Sequence, residues 1–385
     1  MVTNALQLTL TRPEDFQPVP AGPGHYVAAL QSKPGEFNAL LNASSQTWAH
    51  LTPLIEIVGP KGPGAKPFSR NRVEGWVKKV AAAVGTHPCF LDVLRLGPNH
   101  PTAMKDGNRP VLSVIHAAAR QRRLAFVPVM RLSDAKATTA QIADTVACHG
   151  RGVALRYSVL GTVDADGRGA EALVKEALDS VQVEFAGADL LMDLAHLSED
   201  VEIDPEFLAP MIDELVAVGP WRSVVLLGTS MPRSLGGGIV VAGSIGRLPR
   251  REWLLWSALS QSGLARLPTF GDYAIQHPEP PMDAVEGQIP LGIRGAIRYT
   301  HETETVIPRA KAPRHEEGRE QYRQLCKILV DQPEFAGRDF TWGDRQIAEC
   351  AAGECEPGWE DHWRGAGTSH HLRHVVEQLA GINRN

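Results

Sequence analysis

The sequence predicts an α/β protein, a (β/α)₈ TIM-like barrel followed by a small C-terminal α+β domain. Eight short apolar runs rich in β-branched residues recur along the first three-quarters of the chain, and amphipathic segments separate them. Strand and helix alternating eight times is typical of a (β/α)₈ barrel. The 385 residues of the chain suffice for such a barrel, which needs roughly 250 residues, and for an appendage.

The eight runs are the predicted barrel strands. They comprise residues 26–31, 51–58, 89–96, 124–132, 152–157, 189–194, 223–230 and 267–273. Successive runs are separated widely enough for one crossover helix each, as parallel strands require.

The segments between these runs carry helical patterns. The clearest begins at Asp204, a good N-cap, with Pro205 at the first helical position and Gly219 after its end. The predicted barrel helices are residues 36–50, 70–84, 110–123, 137–149, 168–181, 204–219 and 250–262.

The pattern changes after residue 281. Residues 293–300 and 305–309 predict a β-hairpin, and three helices are predicted at residues 316–330, 344–352 and 371–379. We therefore expect an N-terminal lead-in over residues 1–24, the barrel over residues 25–281 and the α+β domain over residues 282–385.

A long glycine-rich segment, residues 228–249, follows the seventh run. Its three consecutive glycines are compatible with a phosphate-binding loop, but no Gly-Lys-Ser/Thr follows them and the G-x-G-x-x-G spacing is missing. We favour a mobile loop. Phosphate binding stays open as the alternative, because the loops after strands seven and eight of barrels often bind phosphate.

The composition is that of a soluble globular protein, with 43% hydrophobic and 22% charged residues. The net charge of −5 disfavours non-specific attraction to nucleic acid over the whole surface. Five scattered cysteines do not resemble a disulfide framework. We identify neither a signal peptide nor an apolar run of membrane-spanning length, so we expect a cytoplasmic protein.

Charged residues lie at the ends of most predicted strands. Because side chains alternate along a strand, a charge at the last inward position reaches the barrel mouth, where barrel enzymes keep their active sites. The carboxylates at these ends are Glu56, Asp92, Asp193 and Asp272, and the guanidinium groups are those of Arg95, Arg131 and Arg156.

These charges have two interpretations. In a functional site, the arginines would bind phosphate or carboxylate, and the carboxylates would hold a divalent cation or act as acid and base. In a structural role, the charges would form a ring of salt bridges that closes the barrel. We favour the functional site. Asp92 and Arg95 are three residues apart, so a regular strand directs only one of them inward.

Two cysteines and two histidines near the C-terminus come close to a Cys₂His₂ zinc pattern. They are Cys350, Cys355, His370 and His374, and His371 could replace His370. The distance from the second cysteine to the first histidine slightly exceeds the common range, and a buried cysteine often serves as a small apolar residue. Zinc is therefore the minor alternative.

Several segments together carry a resemblance to a known family. They are residues 26–41, 51–58, 152–157, 190–194, 270–278, 296–300, 333–345 and 363–372. They resemble the beta family, which is named after a phage beta protein and is found in phages and bacteria. The resemblance extends over almost the whole chain.

The resemblance implies a set of functional positions that combines rim charges with C-terminal residues. Carried over by position, they are Lys33, Glu36, Glu56, Arg156, Asp193, Gly271, Asp272, Tyr273, Arg298, Trp342, Asp344, Trp363, Arg364, Gly367, Thr368, His370 and His371. Ser369 stands where the family's Gly-Thr-Asn-His-His pattern has Asn, and Pro34 departs from its Lys-Gln-Gly-Glu-like stretch. The combination implies that the small domain closes over the barrel mouth.

We expect an accessory protein of phages or mobile elements, with anti-phage defence as one role. Its barrel mouth would bind a nucleotide or nucleic acid and hydrolyse it as a phosphodiesterase or nuclease does, with a divalent metal ion as the candidate cofactor. The predicted catalytic residues are Glu56, Asp193, Asp272, His370 and His371, and the predicted ligand-binding residues are Lys33, Arg95, Arg131, Arg156, Tyr273 and Arg298.

Two alternatives stay open. The two histidines could instead cap and pack the last helix, which Thr368 and Ser369 would begin. The whole protein could be a non-catalytic recognition protein that uses the barrel face to bind a phage or host protein.

Overall fold

Eight parallel strands close into a barrel, which confirms the predicted (β/α)₈ fold. The computed structural model describes residues 22–58, 69–93, 111–132, 134, 136–159, 169–200, 203–279, 294–311 and 317–382. The barrel strands are β1 (Tyr26–Gln31), β2 (Leu51–Glu56), β3 (Cys89–Asp92), β4 (Phe126–Arg131), β5 (Val153–Ser158), β6 (Ala188–His196), β7 (Ser223–Thr229) and β9 (Thr269–Asp272). Each of the eight predicted runs overlaps one of them.

Side chains of the barrel strands alternate between two cores. Outward residues such as Tyr26 and Phe270 belong to the large apolar cluster between barrel and helices. Inward residues such as Val27, Leu54 and Leu191 fill the barrel. Both faces of these strands are buried, so the strands appear in the sequence as near-continuous apolar runs.

Helices follow the barrel strands as predicted. They are α1 (Pro34–Leu41), α2 (Ser45–Trp48), α3 (Arg70–Val84), α4 (Val111–Gln121), α5 (Lys136–His149), α6 (Ala170–Ser180), α7 (Pro205–Ala217) and α8 (Arg251–Leu259). The predicted helix 36–50 is divided into α1 and α2. Asp204 caps α7 as predicted, accepting a hydrogen bond from the Glu206 N–H at 2.8 Å. No helix among the described residues combines the length and apolarity that a membrane crossing requires.

A second, three-stranded sheet has the antiparallel order β10–β11–β8. The predicted hairpin supplies β10 (Tyr299–His301) and β11 (Glu304–Pro308), and β8 (Ile245–Pro249) is its third strand. The sequence analysis assigned residues 228–249 to a loop and therefore missed β8. This strand connects the sheet covalently to the barrel between β7 and α8.

Three helices complete the chain: α9 (Glu320–Val330), α10 (Trp342–Ala352) and α11 (Glu360–Ile382). The prediction for the last helix, residues 371–379, was too short. Thr368 and Ser369 therefore lie inside α11 and do not cap it.

The helix α11 belongs to two apolar clusters at once. Its second half contributes Leu372 and Leu379 to the large cluster around the barrel. Its first half contributes Trp363 and Ala366 to the cluster beneath β10, β11, α9 and α10. Helix α11 thus takes the place of the eighth barrel helix, although β10, β11, α9 and α10 lie between it and β9 in the chain. The predicted domain division at residues 281/282 falls outside the described residues and stays a prediction.

Candidate functional site

Six polar side chains converge inside the carboxyl-terminal end of the barrel. Each occupies the inward position at or next to the end of its strand, in the same alternation that directs the interior apolar residues inward. They are Glu56, Asp92, Arg131, Arg156, Asp193 and Tyr273. We call these six residues the mouth cluster. The strand ends had predicted Glu56, Arg131, Arg156 and Asp193 at this end. They had left Asp92 and Arg95 as alternatives, and Tyr273 had come from the family resemblance.

Arg156 lies at the centre of the mouth cluster and is only 3% exposed. Its Nη1 donates to Glu56 Oε1 at 2.9 Å and to Asp92 Oδ2 at 2.7 Å. Its Nε donates to Asp193 Oδ2 at 2.9 Å, and its Nη2 donates to the Tyr273 hydroxyl oxygen. Burial disfavours the charged guanidinium, but the surrounding oxygens outweigh burial and raise the pKa of Arg156.

Asp193 is the carboxylate of the cluster that solvent reaches, with 13% of its side chain exposed. The Tyr273 hydroxyl donates to it at 2.7 Å, and the backbone N–H of Ala195 donates to its Oδ1 at 2.9 Å. Ala195 has a φ of 53°, where the register of β6 shifts. This irregularity orients Asp193 by a backbone contact that a regular strand would not make.

Arg131 is the other accessible member, with 25% of its side chain exposed. Its Nη2 donates to Asp92 Oδ2 at 2.9 Å, the oxygen that Arg156 also contacts. Its Nε is buried and has no hydrogen-bond partner in the described part of the chain. The exposed part of Arg131 is therefore open to a ligand, whereas the donors of Arg156 point to residues of the cluster.

The structure corrects the predicted role of Arg156 and the predicted cation site. Glu56, Asp92 and Asp193 surround a guanidinium group, so this group is the counter-ion of the three carboxylates. The described residues contain no group of three or more His, Cys, Asp or Glu side chains arranged to hold a metal ion.

Asp272 does not face the barrel mouth, contrary to the prediction. It precedes the inward Tyr273 by one residue and therefore points outward, into the layer beneath α11. The Tyr26 hydroxyl donates to its Oδ1 at 2.5 Å, and His371 Nε2 lies 2.9 Å from its Oδ2. Burial alone would raise the pKa of Asp272, but the charge and hydrogen bond of His371 and the hydrogen bond of Tyr26 lower it.

His370 does not reach the mouth cluster either. Its Nδ1 lies 3.1 Å from Asp344 Oδ1, and its Nε2 lies 2.8 Å from the Thr300 carbonyl oxygen. Both ring nitrogens of His370 thus face oxygen atoms that accept hydrogen bonds. Tyr299 stacks on the ring and donates to Asp344 at 2.6 Å. The predicted placement of His370 and His371 beside the rim charges was wrong.

The four residues of the zinc pattern do not come together. His370 is bound to Asp344, and Cys350 is buried in the apolar cluster of α9 and α10. Thr341 caps α10, where its hydroxyl accepts a hydrogen bond from the Asp344 N–H.

Two other predicted ligand-binding residues lie beside strand ends, and a third cannot be placed. Lys33 precedes α1 at the end of β1, and Arg298 precedes β10 in the second sheet. Arg95 lies outside the described residues.

Two histidines at the barrel mouth were missed by the sequence analysis. His196 ends β6, His277 follows β9, and their ring centroids are 4.7 Å apart. His277 Nδ1 accepts a hydrogen bond from the Glu279 N–H at 2.9 Å. Burial lowers the pKa of both rings, so both are neutral at pH 7. The sequence offered one signal for them, because both histidines lie a few residues beyond the ends of predicted strands.

Comparisons with known proteins identify a family. The model of the family described as "Beta protein" matches residues 26–377, nearly the whole chain. No curated protein matches the chain.

Two solved structures are distantly similar. One is 2,3-dimethylmalate lyase, a member of the PEP mutase/isocitrate lyase superfamily, with 10% identity, a TM-score of 0.34, and coverage of 65% of this chain and 76% of that one. The other is a GH138 enzyme targeting pectin rhamnogalacturonan II, with 11% identity, a TM-score of 0.35, and coverage of 68% of this chain and 36% of that one. The barrel assignment rests on the strand order of this chain itself.

Proposed function

Since the chain belongs to the Beta protein family, we propose that it is an accessory protein of phages or mobile elements whose barrel mouth hydrolyses a phosphate ester. The proposal rests on a difference in exposure and pairing between members of the mouth cluster. Buried Arg156 holds the carboxylates in place, while Asp193 and Arg131 keep atoms accessible to a ligand. Such fixed groups are what catalysis by orientation requires.

Asp193 is the proposed general base and Arg131 the proposed phosphate contact. Asp193 takes a proton from water as the new P–O bond forms. It returns that proton to the oxygen that leaves as the ester P–O bond breaks, so Asp193 ends ionised and the atoms balance. The partly exposed side chain of Arg131 donates to a phosphate oxygen. The neutral His196 and His277 offer hydrogen bonds to the rest of the ligand.

Steady-state hydrolysis of bis(p-nitrophenyl) phosphate, with and without Mg²⁺, tests this proposal. We expect Asp193→Asn to lower kcat by roughly 100-fold or more. We expect Arg131→Gln to lower kcat/KM by roughly 10- to 100-fold, the loss of one charge-assisted hydrogen bond. The matched control is Arg345→Gln, an arginine that is 54% exposed and far along the chain from the cluster. Wild-type protein without turnover would overturn the catalytic part.

One observation favours a second candidate, a non-catalytic recognition protein. Most charged groups of the mouth cluster are paired with one another. The same pairing is expected of a ring of salt bridges whose role is only to stabilise the barrel. In that case Asp193→Asn lowers the melting temperature and changes no catalytic rate. The protein would then bind its partner through the surface around the mouth, and Arg131→Gln would weaken that binding.

The defence role has its own test in cells. Bacteria that express the wild-type chain should give fewer phage plaques than bacteria that express Asp193→Asn at equal protein level. Equal plaque numbers over a panel of phages would contradict the defence role. The hydrolytic activity is tested separately by the assay in vitro.

A further inference from the structure

A second group of polar side chains lies where α1, α11 and the segment before β10 meet. Each member has at least one buried polar atom without a hydrogen-bond partner among the described residues. They are Glu36, Arg298, Arg364 and Thr368. We call these four residues the junction cluster. None of the hydrogen bonds given above for the mouth cluster includes any of them.

Glu36 is the most unusual member. It is 0% exposed, and neither carboxylate oxygen has a hydrogen-bond partner in the described part of the chain. Burial raises its pKa, although the charges of Arg364 and Lys33 act in the opposite direction. A carboxyl group in such a place is costly unless something bonds to it.

Two arginines supply donors in the same place. The Nη atoms of Arg364 bind Asp361 at 3.0 Å and Glu360 at 2.9 Å, but its Nε is buried and has no partner among the described residues. The Nε of Arg298 is likewise buried and has no partner among the described residues. Burial and the neighbouring charge of Arg364 lower the pKa of Arg298 to about 10. Each of the two arginines therefore keeps one buried N–H donor for a hydrogen bond.

Backbone contacts hold the junction cluster in place. A Cβ atom on Gly35 would lie 2.6 Å from the Asp361 carbonyl oxygen, and one on Gly367 would lie 2.5 Å from the Arg298 carbonyl oxygen. Only glycine permits such close approach, so α1, α11 and the segment before β10 dock through their main chains. The main chains that carry the unpartnered groups are therefore fixed relative to one another by the fold.

We propose that the junction cluster is a second binding site, for a small molecule with an oxyanion and an adjacent hydrogen-bond donor. The Nε groups of Arg298 and Arg364 donate to the oxyanion, which is a carboxylate or a phosphate. The Glu36 carboxylate accepts from the donor. The buried Thr368 hydroxyl, 0% exposed, supplies a further hydrogen bond. One ligand thereby satisfies four groups that the protein leaves unpaired.

Isothermal titration of the full chain with glycolate, inorganic phosphate and acetate tests the site. Glycolate and phosphate carry a donor beside the oxyanion, and acetate lacks one. We expect saturable binding of glycolate, of phosphate, or of both, with acetate about tenfold weaker for want of one hydrogen bond. Which of the first two binds more tightly identifies the oxyanion.

Two variants connect binding to the junction cluster. Arg298→Gln should weaken the Kd by about 10- to 100-fold, and the surface control Arg345→Gln should leave it unchanged. Glu36→Gln, which keeps the shape of the side chain, should remove the preference for glycolate over acetate. Absence of saturable binding, or binding that Arg298→Gln leaves intact, overturns the proposal.

The melting temperature of the unliganded variants is a second measurement. A binding role and a purely structural role predict changes of opposite sign in it. Arg298→Gln and Glu36→Gln each remove a buried, unpaired charge, so each should raise the melting temperature of the free protein or leave it unchanged. A fall in melting temperature in both variants would mark the cluster as structural and overturn the proposal. These experiments use no catalytic assay, so their failure is distinct from failure of the hydrolase proposal.

Discussion

His370 and His371 are neighbours in α11, yet their rings bind different carboxylates in different parts of the protein. His370 is hydrogen-bonded to Asp344 of α10, and His371 is hydrogen-bonded to Asp272 of the barrel strand β9. Thr300 of β10 contacts both, its carbonyl oxygen facing His370 and its hydroxyl lying 2.7 Å from His371. The pair therefore fastens the second sheet to the barrel.

The first prediction concerns Asp344. Asp344→Asn removes the buried partner of His370 and should lower the free energy of unfolding at pH 7 by about 3–5 kcal/mol, as broken buried ion pairs do. Although burial opposes it, the charge and hydrogen bond of His370 lower the pKa of Asp344 below its ordinary 3.8. This contribution is present above pH 3.8 and is lost as the pH falls through the lower, folded-state value. Urea denaturation from pH 7 to pH 2 should show wild type and variant converging at low pH. A constant difference over that range would contradict this account of the ion pair.

The second prediction concerns Arg156. Arg156→Met leaves three carboxylates of the mouth cluster without their central counter-ion, so we expect a loss of about 3–5 kcal/mol in the free energy of unfolding. The control Arg345→Met removes an arginine that is 54% exposed and should change stability by less than about 0.5 kcal/mol. Urea denaturation at pH 7 measures both. Equal stabilities of the two variants would mean that Arg156 does not hold the cluster together.

The third prediction concerns the pH dependence that Glu36 gives the protein. Its pKa is raised in the folded state from an ordinary 4.5, so folding is favoured when the group is protonated. The contribution is therefore present below pH 4.5 and is lost as the pH rises through the folded-state pKa. Glu36→Gln should match wild type at low pH and be more stable at pH 7. Glu74→Gln, at the surface of α3, is the matched control and should leave the pH profile unchanged. A variant less stable than wild type at pH 7 would contradict the prediction.

The fourth prediction concerns the contact of α1 with α11. Gly35→Ala places a methyl group 2.6 Å from the Asp361 carbonyl oxygen, so the two helices must separate and the melting temperature should fall. The control is Gly75→Ala in α3, where no atom lies within 4 Å of the added methyl group. Because alanine favours helix over glycine, that variant should gain up to about 1 kcal/mol. Calorimetry of both variants measures the contrast, and equal shifts would contradict it.

Strand alternation explains which site residues the sequence could predict. The eight apolar runs fixed the strands, and the last inward positions identified the mouth cluster. Asp272 was misplaced because the last charged residue of its run was assumed to face inward, whereas strand alternation gives the inward position to Tyr273. The partners of His370 and His371 lie 26 and 99 residues away along the chain, and local periodicity carries no information about such contacts. The strand β8 was missed in the glycine-rich segment because its partner β11 is also distant along the chain.

The position of α11 has a consequence for synthesis of the protein. The strand β1 emerges from the ribosome first among the barrel strands, but the helix that covers its outer face emerges last among the described elements. Until then the Tyr26 ring lacks its contact with His371 of α11, whereas Phe270 already packs on Trp253 and Trp256 of α8. A ribosome that stalls before α11 would therefore release a chain with exposed apolar surface around β1, and such a chain is prone to aggregation.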